Sequence, residues 1–219
     1  MKSPDKKIMG VFITLEGIEG VGKTTQIQLL ANQLKQWGIP VRVTREPGGT
    51  IIGNEIREIL LNHQIDGMDV ITELLLMFAA RAQHLRQVVL PALQAGNTVL
   101  CDRFTDATYA YQGAGRGIDE SLIRQLEILV QGDLRADYTI ILDAAPKLGL
   151  ERAKKRGHLD RFEREKSAFF DRVRQCYLTR AAAYSDRYFV VNAEQSIEQV
   201  HRDIIKKLCP ELAASDPPA

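Results

Sequence analysis

Apolar, β-branched runs recur along the chain at Val11–Leu15, Val41–Thr44, Thr98–Cys101, Tyr138–Leu142 and Tyr188–Val191, and at least one stretch of helical spacing separates each from the next. That alternation predicts an α/β fold, a five-stranded parallel sheet flanked by helices. The first unit is well marked. Gln26 to Trp37 carries leucines and an alanine at helical spacing and stops at Gly38, with Pro40 just beyond. The longest helical pattern runs from about Val70 to Leu93, and Pro91 is expected to bend it near its end. Neither an internal repeat nor a low-complexity segment interrupts the series.

Between the first run and the first helix lies Gly17-Ile18-Glu19-Gly20-Val21-Gly22-Lys23-Thr24, which fits the pattern G-x-x-x-x-G-K-[ST]. The three glycines allow successive backbone N–H groups to turn inward onto phosphate oxygens, and the helix that follows presents its positive end to the same anion. Lys23 is placed to reach β- and γ-phosphates, and the Thr24 hydroxyl can ligate a bridging magnesium ion. A glycine-rich turn with an incidental lysine would not require the strand before it and the helix after it. The chain is therefore expected to handle a nucleoside triphosphate.

Ligands of open parallel sheets bind beyond the carboxyl ends of the strands, which directs attention to Glu16–Thr24, Arg45–Thr50, Asp102–Tyr111 and Asp143–Pro146. Thr44-Arg45-Glu46-Pro47-Gly48-Gly49-Thr50 reads as a binding loop or as an ordinary strand-to-helix turn. Arg57, on the next helix, offers a planar fork for a second phosphate, or else a surface salt bridge. Asp102 and Asp143 both end apolar runs and compete for the metal-side role. Asp102 is preferred because Arg103 beside it can bind an acceptor phosphate. Glu19 would be repelled by a triphosphate unless it addresses a sugar hydroxyl or a magnesium-bound water; otherwise it points to solvent. Met77 and Phe78 are core residues by spacing, yet Arg81 follows them by four and three residues, so one helical face can join an apolar platform to a hydrogen-bonding arginine. From Arg152 to Lys166 a dense basic segment reads as a solvated helix face or, in a phosphoryl-transfer enzyme, as a mobile lid. Arg152 and Arg156 share a face, and Arg161 lies beyond Gly157. The four histidines lack metal spacing.

Composition narrows the picture. A chain of 219 residues suits one domain, taken here as residues 1–212 with the lid at about 152–166 and a fraying tail at 213–219. Lys and Arg number 29 against 28 Asp and Glu, a formal net charge of +1, so no global field favours nucleic acid or an acidic membrane. Cys101, Cys176 and Cys209 are widely spaced and odd in number, which argues against a disulfide framework or a zinc site. The run from Ile8 to Leu15 is short and meets Glu16 at once, as a core strand does and a signal peptide does not. No stretch approaches the roughly 18 to 20 apolar residues needed to cross a bilayer, and a cytoplasmic protein is expected.

Taken together, Gly17–Thr24, Thr44–Thr50, Ala79-Ala80-Arg81-Ala82-Gln83-His84 and Asp102-Arg103-Phe104 followed by Ala110-Tyr111-Gln112-Gly113 resemble the bacterial form of the thymidylate kinase family over nearly the whole chain. The resemblance implies the fold of the P-loop nucleoside monophosphate kinases, phosphorylation of dTMP to dTDP with magnesium-ATP in the supply of dTTP, and a cytoplasmic homodimer. It implies that Gly17, Ile18, Glu19, Gly20, Val21, Gly22, Lys23 and Thr24 bind ATP and that Lys23 stabilises the transferred phosphoryl group. Arg103 would hold the dTMP phosphate with Arg57 as a second contact, and Glu19 would engage the sugar or metal side. Asp102, with Thr24, would stand beside Mg2+. Arg81 and Thr108 would read the thymine, with Glu46 and Pro47 in the same substrate wall, while Tyr111 and Gln112 would crowd the 2′ side of the sugar. Family members commonly carry an aromatic four residues before the base-reading arginine; this chain has Met77 there and Phe78 one later. The phosphate loop lacks an arginine next to Glu19, as in the subgroup whose lid supplies the catalytic arginine, and Arg156 and Arg161 are the candidates. A kinase for another nucleoside monophosphate would differ at the face of Arg81 and Thr108. A phosphate-loop switch would turn over with no acceptor, and a guanine-specificity motif is lacking. A nucleic-acid-binding module fits neither the balanced charge nor the confinement of the basic segment.

Overall fold

The computed structural model describes residues 10–62, 64, 67–154, 157 and 160–212. Arg156, Lys155, His158, Leu159 and the 213–219 tail lie outside the described residues, as does His63. Five parallel strands form one sheet in the order β2-β3-β1-β4-β5, with β1 Phe12–Glu16, β2 Val41–Arg45, β3 Thr98–Asp102, β4 Tyr138–Asp143 and β5 Tyr188–Asn192. Each strand runs one residue past the apolar run that predicts it, so a polar or charged residue closes all five at their carboxyl ends. β1 is central and every residue in it is buried, including Thr14 and Glu16.

Alternate residues of a strand face opposite sides, and the core divides accordingly. Leu15, Leu30, Leu100, Ile140 and Phe170 belong to one cluster, while Phe12, Val89, Val99, Cys101 and Phe104 belong to another. The first crossover is α1 Lys23–Gln36, which buries Ile27, Leu30, Ala31 and Leu34 and ends where Gly38 takes a φ of 76°. α2 Ile51–Leu61 is capped by the Thr50 hydroxyl, which accepts from the Gly53 N–H at 2.9 Å. α3 Val70–His84 is capped by Asp69, whose carboxylate accepts from the Ile71 and Thr72 N–H groups.

The long helix expected over Val70 to Leu93 keeps helical backbone as far as Gln94, through a π-helical turn at Leu85–Val89 and a short α4 Leu90–Gln94. Pro91 cannot donate to the turn before it and its ring crowds that turn's carbonyls, and the widened π turn lies immediately upstream. A second π turn, Tyr109–Gly115, follows the single turn α5 Thr105–Thr108 beyond β3. The remaining helices are α6 Glu120–Gln131, α7 Pro146–Lys154, α8 Ser167–Ala183 and α9 Ile197–Leu212. α7 rests directly on the phosphate loop: a Cβ on Gly20 would stand 2.0 Å from the Gly149 carbonyl oxygen, and one on Gly149 would stand 2.5 Å from that of Glu19. Two glycines therefore meet there because a side chain on either would push the loop off the helix.

Candidate active site

The register of the sheet sets Leu15 of β1 beside Asp102 of β3, so the phosphate loop and the segment after β3 leave the sheet together. They border one cavity of about 660 Å³ at the carboxyl ends of the strands. At its phosphate-loop end, Gly22 takes a φ of 94° and precedes the first turn of α1. The Lys23 ammonium donates to the carbonyls of Gly17 at 3.0 Å and Ile18 at 2.7 Å. Burial, and next the repulsion of Arg103, push Lys23 down to about 8. The Thr24 hydroxyl lies 3.5 Å from the Asp102 carboxylate, as the preference for Asp102 expects. Asp143 is instead held by both arms of Arg174, at 2.7 and 2.8 Å.

Arg103 occupies the middle of the cavity wall. Its backbone takes a φ of 69°, and its N–H donates to the Leu15 carbonyl at 3.0 Å. One guanidinium nitrogen donates to the Gly17 carbonyl at 2.8 Å and to the Tyr177 hydroxyl at 3.1 Å. The other donates to Glu19 at 2.8 Å and to the Tyr111 hydroxyl at 3.1 Å. Glu19 thus has a partner that sequence reading did not foresee, because its carboxylate neutralises Arg103 and accepts from Tyr111 rather than standing free for a sugar or metal. Beneath this junction lies Glu16, which is completely buried. One of its oxygens accepts from the Phe104 N–H at 2.7 Å and the other from the Tyr177 hydroxyl at 2.8 Å. Burial, and after it the Asp106 carboxylate, push Glu16 up to about 7.

The far end of the cavity is built on Arg81, which is 2% exposed. Its Nε donates to Glu46 at 2.7 Å, while one terminal nitrogen donates to the Thr108 hydroxyl at 2.9 Å and the Phe104 carbonyl at 3.1 Å. His84 bonds Glu46 through Nδ1 at 2.9 Å and Thr44 through Nε2 at 2.6 Å, so the loop after β2 is clamped to α3. Burial works against the charge of Glu46, but Arg81 and His84 outweigh it and hold the carboxyl below its ordinary range. Met77 lines the cavity, whereas Phe78 is buried at 2% among Leu74, Tyr109 and Ile123 and lies under the Arg81 guanidinium. Consecutive helical residues point about 100° apart, so only one of the pair faces the opening. Pro47 lines the wall, and its carbonyl accepts from Arg57 at 3.0 Å. Burial, and next the neighbouring Arg45, lower Arg57, and both of these arginines face the cavity.

The basic segment contributes differently from expectation. Arg161 does not line the cavity: its Nη2 lies 2.6 Å from the buried Glu73 carboxylate, and its Nε donates to the Leu60 carbonyl at 2.8 Å. Its guanidinium is thus set against a buried acid on α3 rather than at the cavity mouth. Arg152, Asp160, Phe162 and Glu163 face the cavity from this segment. Gln112 lines the wall too and donates to Glu73 at 2.7 Å. Glu73 and Tyr177 were not picked out from sequence, and Glu16, His84 and Phe104 fell within the segments singled out but were given no individual role. The signal for Glu16 was a carboxylate closing an apolar run, since a buried acid must find donors.

Glu16 supplies a pH test. The folded chain binds its proton more tightly than the unfolded one, with a value of about 7 against 4.5, so its stabilising contribution is complete below 4.5 and is lost as pH rises through about 7. Glu16→Gln keeps an acceptor and cannot ionise. Its melting temperature, relative to that of the parent, is expected to rise between about pH 5 and about pH 8. Parallel melting curves across that interval would contradict the assignment.

Comparison with known proteins agrees with this geometry. The sequence model of the thymidylate kinase family matches residues 15–204. The thymidylate kinase of Pseudomonas syringae pv. tomato is 57% identical over 203 residues, covering 93% of this chain and 96% of that protein. That of Ectopseudomonas mendocina is 56% identical over 195 residues, or 89% and 93% of the two chains. The crystal structure of the thymidylate kinase from Ehrlichia chaffeensis, 36% identical, superposes with a TM-score of 0.75 over 91% of this chain and 98% of the other. Sequence, fold and cavity agree, and the chain belongs to the thymidylate kinase family.

Proposed function

We propose that the phosphorylation of dTMP to dTDP, for the supply of dTTP, runs in this one cavity by direct in-line transfer from magnesium-ATP. The observation that carries the reading is the placement of Lys23 at one end, the buried Arg81–Thr108 pair at the other and Arg103 between them. The triphosphate lies on the Gly17–Thr24 loop. Lys23 exchanges its two carbonyl partners for β- and γ-phosphate oxygens, and the anion raises its lowered proton affinity. Arg103, with Arg57 across the cavity, holds the dTMP phosphate, which is itself the nucleophile. No covalent enzyme intermediate is needed, because positioning and charge neutralisation supply the catalysis.

Thr24 and Asp102 offer a hydroxyl and a carboxylate, the hard oxygen donors that magnesium takes. A magnesium ion held by these two side chains would supply neutralisation of β- and γ-phosphate charge. Thymine lies against Met77 and Phe104, with Arg81 and Thr108 at its polar edge. The Tyr111 ring, fixed by its hydroxyl bond to Glu19, occupies the space a 2′-hydroxyl would need. Arg152 is the described basic residue of the 152–166 segment placed to meet the donor phosphates.

The enzyme works in the cytoplasm as a homodimer. Ile51, Ile52 and Ile59 on α2 and Ile71 and Leu75 on α3 are exposed, and these two helices pack side by side, which suits burial against a second copy. Sedimentation is expected to give a dimer that Leu75→Glu dissociates; a monomeric parent chain would remove this part of the reading. The reaction is tested by ADP release from magnesium-ATP with dTMP, dUMP, dCMP, UMP and dGMP offered singly. Release that depends on acceptor and favours dTMP is expected. Hydrolysis without acceptor, or preference for dGMP, would overturn it.

A further inference from the structure

Glu73 is 1% exposed, in the first turn of α3, and is not needed for any step above. It nevertheless receives three side chains from two separate parts of the chain. One oxygen accepts from the Gln112 amide at 2.7 Å and from Arg116 Nε at 3.3 Å. The other lies 2.6 Å from Arg161 Nη2 and 3.3 Å from Arg116 Nη2. Arg116 in turn is paired with Glu165. Gln112 belongs to the second π turn and lines the cavity, while Arg161 and Glu165 belong to the segment that supplies Asp160, Phe162 and Glu163 to the lining of the same cavity.

The attachment of that segment is specific. The Arg161 N–H and Nε donate to the carbonyls of Leu61 and Leu60, which end α2 and have no partner within that helix. The Arg161 guanidinium lies over the Phe162 ring at 4.6 Å, and that ring meets Tyr111 edge-on at 5.8 Å. A buried carboxylate shared by two arginines and an amide is costly unless all of them are present, so loss of one member is felt by the others.

We infer that Glu73 is a positioning residue that couples two parts of the cavity lining, holding Gln112 and, through Arg161, the Asp160–Glu165 segment. The acceptor site is then formed only while that segment is docked, and binding of dTMP stabilises the docked state by the same free energy. The inference rests on the functional reading above for the identity of the ligand, but not for the attachment itself.

Glu73→Gln separates the two contacts. Its amide oxygen still accepts from Gln112, while the charge that holds Arg161 is gone. Hydrogen exchange of the free enzyme and steady-state kinetics are measured on the same preparation. Amides of 161–165 are expected to exchange about tenfold faster with β1 and α1 unchanged, and KM for dTMP to rise by about tenfold with KM for ATP unchanged. Should Glu73→Gln fail to fold, Arg161→Gln breaks the same pair from the partly exposed side and is expected to show both changes. Parent-like exchange over 161–165 in a folded variant would overturn the inference, as would equal rises in both KM values. A parent enzyme that leaves dTMP unphosphorylated would instead defeat the functional reading, and the exchange result would still decide whether Glu73 holds the segment.

Discussion

The site depends on one arginine held in an unfavourable backbone conformation. Arg103 leaves β3 with a φ of 69°, the only positive value at a non-glycine residue among those described, at an intrinsic cost of about 1–2 kcal/mol. Its surroundings over-determine that geometry. Its N–H is bonded to β1 and its guanidinium to the phosphate loop, the second π turn and α8, so four elements converge on one residue. Glu16 fixes the same place from below by binding the Phe104 N–H and the Tyr177 hydroxyl. The turn that aims Arg103 into the cavity is thus anchored to the most buried strand of the sheet.

Charge is arranged around this junction in a way that the overall balance of the chain conceals. A net charge of +1 says nothing of the cavity, where Lys23, Arg45, Arg57 and Arg103 face one opening. Without ligand their repulsion is met by Glu19, Asp102 and loop carbonyls. These pairings are also what a phosphate must displace, so the cavity is preorganised for anions. The Arg81 end has no such openness. Its guanidinium is satisfied by Glu46, Thr108 and Phe104, which fixes its orientation before any base arrives.

The legible part of the molecule is the part with short-range signals. Apolar runs mark β1, β3 and β4 most clearly because both faces of these strands are buried, and Gly17–Thr24 is readable because its function resides in consecutive backbone groups. Asp102 was singled out by the rule that strand exits carry ligands, and its carboxylate lies 3.5 Å from the Thr24 hydroxyl. What was missed depends on contacts between distant segments: Glu46 with Arg81 and His84, and Glu73 with Gln112 and Arg161. An ion pair between separate elements leaves no periodicity in the sequence. Arg161 was expected at the donor phosphates because it lies in a basic segment, and only the fold reveals a buried acid that takes it. Met77 and Phe78 could not be ranked because a single helical step decides which faces the cavity and which joins the core.

The central claim is that the Arg103 fork, not simply a positive charge at that point, joins the phosphate loop to the acceptor site. Calorimetric titration of Arg103→Lys with dTMP tests it most directly, because lysine keeps the charge and loses the planar set of donors. The account predicts that dTMP affinity falls by about tenfold or more in a variant that melts as the parent does. Parent-like affinity would contradict it, since a point charge would then suffice and the convergence of four elements on Arg103 would have no bearing on binding.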